Sequence, residues 1–146
     1  MNALIDWNPS LVIALITLFS AQLIKFLGTW VTRRTVDFTR LTGMGGMPSS
    51  HAASVSALST VLGLERGWDS PLFGGIAFLS LLIIYDATGI RQAAAAQARV
   101  LNRMLDDLRA HHTLGGERVS ELLGHTVVEV VAGAAYGVAL ALLLYR

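Results

Sequence analysis

Two histidines in this chain stand where an imidazole could carry out chemistry. His125 opens "GHTVVE", four residues before Glu129. On a helix that spacing puts both side chains on one face. A carboxylate so placed accepts the N–H of one imidazole nitrogen, which fixes the tautomer and leaves the other nitrogen free to attack. Taken alone, the pair reads equally well as a capping histidine beside a solvated acid. His51 closes "GMGGMPSSH". Pro48 ends a glycine run there, and Ser49 or Ser50 can cap the helix that follows. The open N–H groups of such a helix start bind anions, and glycines such as Gly46 let the backbone approach a phosphate closely. No Lys-Ser or Lys-Thr follows the glycines, so this is not a nucleotide P-loop. By itself, a glycine turn with a serine cap is most often just a helix start.

The cations that could hold an anion come from elsewhere in the chain. Lys25 is the only lysine and sits inside an apolar run; alone it reads as a side chain snorkelling to the headgroups. Arg91 follows "YDATGI" and suits either a positive-inside anchor or a phosphate clamp. Asp86 lies five residues earlier, about 140° away around an ideal helix, so its part is to pair with Arg or Lys and hold the geometry. His111 and His112 read as exposed loop residues. No carboxylate cluster supports them as metal ligands. With no cysteine, disulfides, thiolate metal sites and a cysteine nucleophile are all excluded.

The elements that must position these groups are membrane helices. Charged residues make up 14% of the chain and hydrophobic residues 53%, against about 25% charged in a typical soluble domain. The 146 residues suit one domain, spanning 1–146. A spanning helix needs about 20 mostly apolar residues. Candidates begin at Pro9, at Ser49 and at Pro71, the last with Ser70 as its cap, and a fourth runs from near Val119 to Tyr145. The third continues into water to about Ala110. The fold expected is an all-α integral membrane helical bundle with about four transmembrane helices, since the apolar runs are too long and non-alternating for a barrel. Lys25, Arg33, Arg34, Arg40, Arg91, Arg99, Arg103, Arg109 and Arg118 then share one side, which the positive-inside rule makes cytoplasmic. The candidate chemical residues fall on that side too, and ionisable groups near membrane helices are costly enough to suggest function. Trp7, Trp30 and Trp68 fall at membrane boundaries, as interfacial anchors do.

The strings "GGMPSSH", "YDATGIRQAAAAQARVLN" and "LLGHTVVEVVAGAAYG", in this order, resemble the divergent branch of the type-2 phosphatidic acid phosphatase superfamily. Its members are often labelled acid phosphatase or vanadium-dependent haloperoxidase related. The resemblance covers about Ala21 to Gly137. It implies Ser49 as a phosphate-binding serine, His51 as general acid and His125 as nucleophile. Ser50 replaces the superfamily's usual glycine, and Glu129 stands where the superfamily has aspartate. The superfamily arginine before the nucleophile is absent, with Val119 at its position and Arg118 one place off. In the first motif Lys25 matches, while Thr32 occupies the arginine position. Arg91 from a neighbouring helix is the expected replacement, with Arg33 or Arg34 as further candidates.

The expectation is a phosphatase acting on a lipid phosphate or diphosphate through a phosphohistidine. Lys25, Ser49, Ser50 and Arg91 would hold the phosphoryl group, and His125, His51 and Glu129 would do the chemistry, with Asp86 and Gly46 in support. Arginine and lysine supply the positive charge, so no metal or other cofactor is called for. The partners expected are membrane lipids and a lipid phosphate substrate. The formal net charge of +1 gives no reason to expect nucleic acid. Small-residue faces on four short helices suit a homodimer. The location expected is a bacterial plasma membrane, with the site on the cytoplasmic face. A catalytically degenerate lipid-binding or lipid-transporting protein and a structural subunit are the competing readings.

Overall fold

The computed structural model describes residues 7–33, 46–111 and 126–145; within them, the side chains at 32, 33, 88–95, 107 and 109–111 are not described. The described residues form four helices in chain order: α1 (Pro9–Arg33), α2 (Ser50–Arg66), α3 (Pro71–His111) and α4 (Val127–Leu144). The described residues contain no strand. Each start has a local cause. Asn8 Oδ1 accepts from Leu11 N at 3.0 Å, and Ser49 caps α2 through Ala52 N. Ser70 Oγ accepts from Phe73 N at 3.2 Å, with Pro71 at the first helical position as its fixed φ favours. Gly67 ends α2 at φ +90°, a conformation open to glycine at little cost.

α1 over Pro9–Val31 and α4 over Val127–Leu144 are long and apolar enough to cross a membrane. The apolar part of α3, Pro71–Ala87, is shorter. The whole of α3 is 41 residues, about 60 Å. That is twice a hydrocarbon core of about 30 Å, so its second half runs on beyond it as the sequence suggests. α2 carries five serines and threonines among its 17 residues and passes no such test. It can be polar because it packs against all three other helices, whereas α3 and α4 barely touch each other. Large apolar side chains face outward on α1, α3 and α4 (Phe19, Phe78, Leu81 and Val131 among them), the arrangement a bundle in lipid requires.

Small residues let the backbones approach. A Cβ at Gly137 would overlap the Ala53 carbonyl, and one at Gly133 the Ser49 carbonyl. Two clusters fill the interior. Ile13, Ala57, Val61 and Ala141 meet at the end where the chain starts and finishes, beneath Leu144 and Tyr145. Ala52, Ala87 and Val130 meet near the opposite end, with Ile84 against them. Hydroxyl bonds tie neighbours together: Tyr136 to Ser20 Oγ at 2.8 Å between α4 and α1, and Ser59 with Ser80 at 2.9 Å between α2 and α3. The alternating directions bring the end of α1, the start of α2, the middle of α3 and the start of α4 to one side.

Candidate functional site

At that side the described chain buries polar groups that a lipid-embedded bundle would ordinarily avoid. Lys25 is 6% exposed, Ser49 0% and Ser50 1%. Lys25 Nζ donates to Ser50 Oγ at 2.9 Å, joining α1 to the first residue of α2. Thr29 Oγ1 returns to the Lys25 carbonyl at 2.9 Å, one turn further along α1. Removing an ammonium from water is expensive, so its retention here calls for anionic or polar company. The serine side chains supply part of that company. The Glu129 carboxylate also lies near enough for its charge to act on Lys25.

The glycine turn is held from three directions. Gly46 has φ +85°, the left-handed region that favours glycine, and its open face lies against the Lys25 stem, with a Cβ there 3.9 Å from Lys25 Cδ. The Met47–Pro48 peptide is cis. Ser49 N donates to the Glu129 carbonyl at 2.9 Å, so the turn is hydrogen-bonded to the first turn of α4. Gly133, one turn on, leaves the space in which the Ser49 backbone sits. Ser49 Oγ accepts from Ala52 N at 3.4 Å, which identifies Ser49 rather than Ser50 as the cap and leaves the Ser50 hydroxyl for Lys25. No acid occupies the first turn of α2. The first N–H groups of any helix have no intrahelical partner, and they carry the positive end of its dipole. Ammonium, hydroxyls and a helix start therefore converge, a donor set suited to a phosphate-sized anion.

The structure thus brings Lys25, Gly46, Ser49, Ser50 and Glu129 together from three separate stretches of chain. His51 lies on the first turn of α2 and is exposed. Asp86 is exposed on α3, next to Ala87 of the inner cluster, and does not join the buried group. Arg91 lies along α3, but its side chain, like that of Arg33, is outside the described residues, as are Arg34, Arg118 and His125 altogether.

The pairing of Glu129 with His125 expected from helical spacing falls on a residue outside those described. Thr126 is extended (φ −71°, ψ 156°) and caps α4. Glu129 Oε2 accepts from Thr126 N at 2.9 Å, and Thr126 Oγ1 accepts from Glu129 N at 3.3 Å. This is a capping box. The carboxylate holds the N–H of the peptide that joins His125 to Thr126. Thr126, Gly133 and Gly137 were not anticipated from the sequence. Their signals are present: "TVVE" has capping-box spacing, and Gly133 and Gly137 are four apart, the small-xxx-small pattern of close helix contact.

Fold and site together define an all-helical membrane protein whose polar centre is gathered at one end of the bundle. The chain belongs to the Divergent PAP2 family, whose model matches residues 7–140. It is also 37% identical over 148 residues to the uncharacterized membrane protein YuiD of Bacillus subtilis (strain 168), covering 94% of each chain. No solved structure matches it. Membership in this family bears out the resemblance drawn from the three sequence strings and places the chain in a phosphatase-related branch of membrane proteins.

Proposed function

We propose that this protein is a lipid phosphate or diphosphate phosphatase of a bacterial plasma membrane, with its site at the cytoplasmic face. The observation that supports this best is the buried Lys25–Ser50 contact at the capped start of α2, on a turn bonded to the first turn of α4. Phosphoryl transfer needs little beyond positioning and charge stabilisation. Lys25, Ser49, Ser50 and Arg91 hold the phosphoryl oxygens. An imidazole nitrogen of His125 attacks phosphorus, the bond to the lipid oxygen breaks, and His51 gives that oxygen a proton. His51 then takes a proton from water as its oxygen attacks the phosphohistidine, releasing inorganic phosphate and restoring His125. Glu129 fixes the backbone at His125 through the capping box, and its charge favours the imidazolium-like intermediate. Metal plays no part in these steps.

The test is phosphate release by purified protein from a panel of lipid phosphates and diphosphates in EDTA. Wild type and His125→Ala are assayed side by side. Release by wild type and none by the variant is expected. Equal release by both removes His125 as nucleophile, and no release from any lipid by folded protein removes the phosphatase reading. One observation favours a second reading, a headgroup-binding protein without turnover: the Glu129 carboxylate is already engaged by the Thr126 N–H. That protein would bind lipid phosphates and release nothing.

A further inference from the structure

The end of the bundle away from Lys25 carries charged groups that the phosphate site does not use. A pocket of about 470 Å³ opens there between the start of α1, the end of α2 and the start of α3. That size is within the range of about 300–1,000 Å³ usual for ligand sites. One face of α2 forms its wall, with Leu58, Leu62, Glu65 and Arg66 at helical spacing. Pro9–Val31 is long and apolar enough to span, so the start of α1 lies at a membrane boundary. Trp7 lines the pocket where the sequence places an interfacial anchor.

The pocket is graded along α2. Glu65 and Arg66 belong to its last turn, level with Ser10 at the start of α1. Leu62 and Leu58 lie about 5 and about 11 Å further into the membrane, with Leu11 and Leu72 beside them from the other two helices. Polar at the boundary and apolar inward is the polarity of a lipid in its leaflet. The two charges do not pair with each other. The Glu65 carboxylate accepts from Ser10 Oγ and has no other partner among the described residues. Arg66 is exposed and makes no ion pair or hydrogen bond through its side chain among them. A carboxylate has about four acceptor sites and a guanidinium five donors, so both keep most of their capacity. One residue separates them by about 1.5 Å along the helix, so an acid and a base stand at one depth.

We propose that this pocket binds the headgroup of a zwitterionic aminophospholipid, its ammonium on Glu65 and its phosphate on Arg66. The proposal does not rest on the phosphatase reading, because the pocket lies at the opposite end of the bundle from Lys25. The occupant follows from charge and polarity. An open acid beside an open base complements a ligand that carries both signs, whereas an anionic lipid brings only like charge to Glu65. A primary ammonium donates up to three hydrogen bonds and a quaternary one donates none, and Glu65 has acceptor sites to fill. The leucines take the first part of the acyl chains. Lipid tails are as apolar as those leucines, so that contact gains little and selection lies in the headgroup.

The experiment uses the full-length protein in detergent and native mass spectrometry. Dioleoyl phosphatidylethanolamine, phosphatidylcholine and phosphatidylglycerol are added in equal amounts. Retention of phosphatidylethanolamine at least about tenfold over either of the others is expected, the scale of one hydrogen bond to a charged group. Glu65→Gln still accepts from Ser10 and should remove that preference, and Arg66→Gln should weaken retention about tenfold. Lys25→Met should retain the lipid as wild type does. Glycerophosphoethanolamine, the same headgroup without chains, should compete at least about tenfold more weakly than the lipid. Equal competition would make the ligand a soluble zwitterion and overturn the lipid assignment. Equal retention of the three lipids, or a preference unchanged by Glu65→Gln and Arg66→Gln, would overturn the proposal. A preference lost in Lys25→Met and kept in Glu65→Gln would put the headgroup at the other end and overturn it too.

Discussion

The two ends of the bundle solve the same packing problem with different materials. At the end near the termini, Ile13, Ala57, Val61 and Ala141 make an apolar plug, and the buried polar groups beside it are uncharged hydroxyls with protein partners: Ser10 on Glu65, and Thr17 and Thr60 on carbonyls of their own helices. At the other end the equivalent interior holds Lys25, Ser49 and Ser50, all nearly inaccessible. A bundle built only to be stable would repeat the first solution, since well-packed apolar groups usually match or exceed buried ion pairs in stability. The difference is what the proposed phosphate site at the second end would require.

The largest effect should come from making the second end like the first. Lys25→Met keeps chain length and removes the charge. Loss of one donor to developing charge typically lowers turnover by roughly 10²–10³-fold. Thermal unfolding in detergent should stay level or rise, because a desolvated charge is removed. A large fall in melting temperature with phosphate release intact would instead make Lys25 a structural residue. Ser10→Ala is the matching change at the first end. It takes the donor from Glu65 and should cost about 1–3 kcal/mol of stability, while turnover per folded molecule is unchanged.

The two glycines of α4 sharpen the comparison. Gly137 receives the Ala53 backbone, and Gly133 receives the backbone of Ser49 itself. Overpacking such contacts costs about 1–3 kcal/mol each, so Gly133→Ala and Gly137→Ala should lower the melting temperature similarly. Only Gly133→Ala should also reduce turnover per folded molecule, because the displaced atoms belong to the turn proposed to bind phosphate. Equal turnover losses in both would mean that the turn tolerates displacement.

Glu129 joins the two roles in one side chain. Glutamine can serve at this capping-box position, so Glu129→Gln keeps the cap and removes the charge. Thr126→Ala removes the cap and keeps the charge, at a cost of about 1 kcal/mol. Slow turnover in the first and near-normal turnover in the second would assign Glu129 to charge. The reverse would assign it to holding the peptide before α4. Normal turnover in both would remove it from the mechanism.

The sequence showed a good deal of this, and unevenly. Helix positions were legible because apolar length, Ser70–Pro71 and the Ser49 cap are local signals. The sharing of one side by Lys25, Ser49, Ser50 and Glu129 was legible because direction alternates with each crossing. The depth of Lys25 was not. A lone lysine in an apolar run reads as snorkelling, and only the arrival of Ser50 from another helix turns it inward. The pairing of His125 with Glu129 rests on a residue outside those described, and the described part of α4 begins after the extended Thr126. Gly133 and Gly137 were overlooked because their meaning lies in which backbone comes to meet them, which spacing alone does not name.

The smallest predicted effect lies at Gly46. A Cβ there has room, 3.9 Å from the Lys25 stem, so the obstacle is conformation rather than space. At φ +85° an alanine is disfavoured by about 1–2 kcal/mol. If the site were only packed, that strain would appear as a modest drop in melting temperature and nothing else. Because the turn lies against the Lys25 stem, relaxing the strain must move the chain beside that side chain. Gly46→Ala should therefore raise KM for the lipid phosphate more than it lowers kcat. An unchanged KM with reduced stability would show that the turn lies against Lys25 without shaping the site, and the contrast between the two ends would then rest on Lys25 and the serines alone.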